Sequence, residues 1–78
     1  MAERHNSFMN CVEARHVRPG WLLGSVADLF KSEWLVESTA SVVATREIQL
    51  TMRCGNRVVT KATAAEDTVL RKMYLDGN

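Results

Sequence analysis

Ser41–Cys54 reads SVVATREIQLTMRC, and the parsing of this stretch decides the fold. Its even positions run Val42, Ala44, Arg46, Ile48, Leu50, Met52, Cys54, and its odd positions run Ser41, Val43, Thr45, Glu47, Gln49, Thr51, Arg53. Alternation with a period of two puts one set on each face of a β-strand. Only Val43 and Arg46 break it. The pattern predicts one long strand over 41–54, buried on the side of Ile48, Leu50 and Met52. A buried, unpaired guanidinium is costly, so Arg46 is expected at the rim of the dry face, its stem packed and its head in water.

Gly55-Asn56 is a turn signal, and Arg57–Thr63, RVVTKAT, returns as a second strand. A two-residue turn would set Lys61 opposite Leu50 and Val59 opposite Met52. A three-residue loop, Cys54-Gly55-Asn56, would align Met52 with Val58, Leu50 with Thr60 and Ile48 with Ala62. The second register segregates apolar from charged side chains and is the expected one. It leaves Ser41–Glu47 without a strand partner, although buried backbone groups need one. Either Leu35–Glu37 folds back to supply it or a second molecule does. The strand is therefore expected to self-associate, through Ser41, Val43, Thr45 and Glu47, into a homodimer.

Three helices are expected around this hairpin. The first spans 7–16, with Phe8, Met9, Cys11 and Val12 on one side, and Arg18-Pro19-Gly20 ends it. The second spans 21–34, where Leu22, Leu23, Val26, Ala27, Phe30 and Trp34 recur at helical spacing. The third starts at the capping box Thr63-Ala64-Ala65-Glu66 and carries Val69, Leu70, Met73 and Tyr74 as its apolar stripe. The expected fold is one α+β domain over 1–78. It has two layers, with an antiparallel sheet of two or three strands (a long hairpin over about 41–63) packed by two N-terminal helices and a C-terminal helix.

Composition narrows the function classes. The 78 residues are 46% hydrophobic and 24% charged, with formal net charge +1. That is too apolar for a disordered chain and too neutral for a strongly basic nucleic-acid binder. No apolar run approaches the roughly 20 residues of a membrane helix, and MAERHNSFMNC has no signal-peptide core. A cytoplasmic or otherwise intracellular protein with free thiols at Cys11 and Cys54 is expected, with no membrane partner.

Chemistry-bearing motifs are sparse. Cys11, Cys54, His5 and His16 lack the close pairing of a zinc site. No nucleophile elbow or phosphate loop is present, so no enzyme activity, metal or cofactor is expected. Arg53, Arg57 and Lys61 fall on the outer face of the expected hairpin, where arginine forks could contact phosphate or another anion. The competing reading is a solvated face whose charges discourage aggregation. Trp21 and Trp34 are either core or partner anchors. The sequence thus points to a small intracellular, non-enzymatic protein-interaction module, a regulator or adaptor that binds itself and another protein. The alternative is nucleic-acid binding through the basic outer face.

Overall fold

The computed structural model describes residues 7–25 and 32–74. The stretch 41–54 is two strands and a turn. Strand β3 covers Trp34–Val42, a single 3₁₀ turn covers Val43–Thr45, and β4 covers Glu47–Cys54. Val43 and Arg46, the two residues that break the alternation, bound this turn. Arg46 adopts the left-handed conformation, φ 55° and ψ 44°, and its N–H bonds the Val43 carbonyl. It is exposed at a chain reversal rather than packed at the rim of a strand.

The remaining strands are β1 (Ser7–Glu13), β2 (Leu22–Gly24), β5 (Arg57–Ala64) and β6 (Thr68–Tyr74). They form one six-stranded sheet in the order β1-β6-β2-β3-β4-β5, with every pairing antiparallel. The fold is all-β, not α+β: among the described residues there is no α-helix.

None of the three expected helices is present among the described residues. Residues 7–13 pair with β6 from Ser7↔Tyr74 to Glu13↔Thr68, and only Ala14–His16 turn, as one 3₁₀ turn. The apolar residues at 69–74 look helical because β6 lies between β1 and β2. Its backbone is paired on both sides, and Val69 to Met73 are all half-buried rather than alternating between buried and exposed. The capping-box residues instead form the turn from β5 to β6, two strands that are not neighbours in the sheet. Asp67 N–H bonds the Ala64 carbonyl at 3.0 Å, and Thr63 Oγ1 lies 3.5 Å from Asp67 Oδ2. Of the expected helix at 21–34, 22–24 and Trp34 are strand, while 26–31 fall outside the described residues. The break at Arg18-Pro19-Gly20 is a tight turn. Trp21 N–H reaches the Arg18 carbonyl at 3.2 Å, with Gly20 at φ 94°, the geometry that favours proline followed by glycine.

The hairpin register is also corrected. Leu50 pairs with Lys61, Met52 with Val59 and Cys54 with Arg57, so the turn has two residues, Gly55 and Asn56. Gly55 takes φ 62°, and glycine at the first central position suits a two-residue hairpin.

Leu35 and Val36 fold back onto β4 opposite Arg53 and Met52, not onto Ser41–Glu47 as expected. Ser41 and Val42 meet Ile48 and Glu47. A bulge at Glu37 separates these two segments of the ladder.

The core comprises Ala14, Val17, Leu23, Val36, Ile48, Leu50 and Met52, with Val12, Trp21, Trp34, Val59, Ala65 and Val69 packed on it. Ile48, Leu50 and Met52 are buried on one face of β4, as the alternation requires. The sheet curls so that its ends meet at one point. Ala14 N–H bonds the Asp67 carbonyl at 2.8 Å, and Arg15 N–H bonds the Ala65 carbonyl at 2.9 Å. Ala14 and Val17, 0% and 2% exposed, plug that end.

Candidate functional site

Opposed residues in a ladder point to the same face, and this rule divides the expected cationic cluster. Arg53 is paired with Leu35 and Val58 on the outer face. Its Nε lies 2.6 Å from Glu37 Oε2. Arg57 and Lys61 lie opposite Cys54 and Leu50, on the inner, core-bearing face. The three cations therefore do not share a surface.

The inner face of β5 forms one wall of a groove of about 410 Å³. Val59, Lys61 and Thr63 stand on that wall, Leu50 and Met52 form the floor, and Trp34, Ser25, Val69 and Leu70 line the opposite side. No acidic residue is among its described lining. The Arg57 guanidinium carbon lies 5.7 Å from the centroid of the Trp34 ring, within the range of a cation–π contact. Neither Arg57 nor Lys61 has a carboxylate partner among the described residues, unlike Arg15, Arg53 and Lys72. This pairing of tryptophan with arginine is absent from the linear pattern, because 23 positions separate residues that meet only through the β3–β4–β5 register.

A second arginine–tryptophan pair lies away from the groove. The Arg71 guanidinium carbon is 3.7 Å from the Trp21 ring centroid. Its Nε is buried without a hydrogen-bond partner among the described residues. The ring face offsets part of that desolvation, as it does for a stacked arginine.

The other expected cluster comes together. Ser41, Val43, Thr45 and Glu47 all border one depression of about 540 Å³ at the end of the β3–β4 hairpin. Their roles differ. Ser41 is in β3, which beyond Val36 has a strand partner among the described residues on one side only, β4. Val43 projects from the turn and is 85% exposed. Thr45 Oγ1 bonds Glu47 Oε1 at 3.0 Å and fixes the turn. Glu47 already has strand neighbours on both sides, Val42 and Ala64, so its backbone has no free ladder position. Arg15, Arg46 and Glu66 add charge of both signs around the rim.

Cys11 is exposed and Cys54 half-buried, both as free thiols. Among the described residues no cluster of three His, Cys, Asp or Glu side chains could hold a metal ion, and no helix is long and apolar enough to cross a membrane. No protein-family model, curated protein or solved structure matches the chain.

Proposed function

We propose that this chain is a small non-enzymatic protein-interaction module that self-associates through the end of its β3–β4 hairpin. The observation that carries the reading is Val43, 85% exposed at the tip of the turn and beside a depression walled by Val42, Ile48 and Ala65. An aliphatic side chain held that far into water gains free energy from any apolar cover.

Two further features support a second copy as the partner. A two-fold interface must complement itself, and the depression carries Arg15 and Arg46 together with Glu47 and Glu66. The adjoining edge of β3, Ser38–Val42, has no charged residue of its own. Charges on an edge strand are a common guard against strand addition, and β5 has them in Arg57 and Lys61. Pairing β3 with its symmetry mate about Ala40 would set Thr39 opposite Ser41 and Ser38 opposite Val42, with no like charges facing.

Sedimentation of the full chain over micromolar concentrations tests this. The expected result is a concentration-dependent dimer that Val43→Asp converts to monomer, because a charge buried at the interface would be unpaired. Val43 is exposed, so the substitution leaves the core intact. A wild-type chain that stays monomeric at high micromolar concentration would overturn the reading.

A further inference from the structure

We infer that the groove between β5 and the β2–β6 side of the sheet binds single-stranded nucleic acid, with a base against Trp34 and backbone phosphates at Arg57 and Lys61. The inference is independent of self-association, since the hairpin-end depression and the groove are lined by different residues.

The groove is polarised by its contents. Its described lining has a cation and no acid, and Arg57 adds a second cation over the tryptophan. Both cations lack carboxylate partners among the described residues, so an incoming anion displaces no ion pair there. A net charge of +1 does not oppose this, because local field in a cleft, not the total, sets the attraction.

The spacing of the cations favours a polymer over a small anion. Arg57 and Lys61 are four residues apart on one strand face, about 13 Å at the rise of a β-strand. Side chains standing upright from the strand would meet successive phosphates of a chain, whereas a single phosphate would need both to lean toward each other, and Arg57 is already placed over the Trp34 ring.

Trp34 then selects the kind of polyanion. Its half-buried ring lines the groove, and an aromatic platform beside cations suits unstacked bases. A duplex hides its base faces within the stack, and an acidic peptide offers no base to lie on the ring. The ring is held in place because Trp34 packs on the core.

The test is fluorescence anisotropy with the full chain and a labelled mixed-sequence DNA strand of about 12 nucleotides, within the site sizes of small sheet domains. A poly-glutamate peptide of similar length is the control. At about 50 mM salt the strand is expected to bind and the peptide not. Arg57→Gln and Lys61→Gln should each weaken binding and flatten the dependence of log K on log salt by about 0.7. Trp34→Leu should cost tenfold or more, and Trp34→Phe should recover most of that loss. Trp34 supports the core, so circular dichroism must verify that its variants fold. The two exposed cations carry the test if they do not. Equal binding of the peptide would reassign the groove to acidic protein segments and overturn the inference. Absence of binding at low salt, or salt slopes unchanged in both cation variants, would overturn it as well. A Val43→Asp protein should bind the strand through the same two cations, which separates this result from the dimer test.

Discussion

Leu50 and Lys61 face each other across the β4–β5 ladder. Segregation of charge from apolar surface argues against that pairing, yet the structure has it. The reason is that β5 is the last strand of the sheet and its inner face borders an open groove. Lys61 is exposed, so its stem can lie along the groove wall while its ammonium stays hydrated. No charge is buried, and the register costs nothing electrostatically. The two-residue turn then prevails.

That turn depends on Gly55. A Cβ added there meets nothing within 4 Å, so the penalty of a substitution is conformational alone. Placing a side chain at φ 62° costs roughly 1–2 kcal/mol, and the stiffer unfolded chain returns about 0.4–1 kcal/mol. Gly55→Ala is expected to lower stability by about 1 kcal/mol, read from the urea midpoint. An unchanged midpoint would show that the hairpin accepts another loop.

Arg46 presents the opposite case, a non-glycine residue at φ 55°. Replacing it by glycine removes about 1–2 kcal/mol of backbone strain and adds about 0.5–1 kcal/mol of chain entropy to lose on folding. Arg46→Gly should therefore raise the melting temperature by a few degrees, at about 4–8 °C per kcal/mol for a domain of this size. The melt belongs at low protein concentration, because Arg46 borders the proposed dimer surface. A lower melting temperature would mean that the Arg46 side chain contributes more than its backbone costs.

Arg53 tests whether the faces of the sheet act separately. Its ion pair with Glu37 is partly open to water, with side chains 47% and 35% exposed. Such pairs contribute about 0–1 kcal/mol. Arg53→Gln should cost less than about 1 kcal/mol of stability and leave the salt dependence of oligonucleotide binding unchanged. A slope flattened as much as by Arg57→Gln would refute the division of the three cations between two faces.

The sequence by itself determined which residues of β4 are buried. Ile48, Leu50 and Met52 alternate with polar neighbours, and a half-buried strand has that period whatever it packs against. It also determined the chain reversals at Pro19-Gly20 and Gly55-Asn56, because these rest on the φ preferences of proline and glycine. The exceptions at Val43 and Arg46 marked a third reversal, although a single long strand tolerates two exceptions equally well on pattern alone.

Only the tertiary structure decided the rest. Phe8 to Val12 and Val69 to Tyr74 have mixed patterns that a helix satisfies locally. They become strands because β1, β6 and β2 supply each other's backbone partners across more than 40 residues of sequence. Hydrogen bonds of that range leave no short-range periodicity. The same long-range register sends Arg53 to one face and Arg57 and Lys61 to the other, and brings Trp34 beneath Arg57. A shift of one residue in one hairpin would exchange those faces, so the sequence could name the three cations but could not say which of them share a surface.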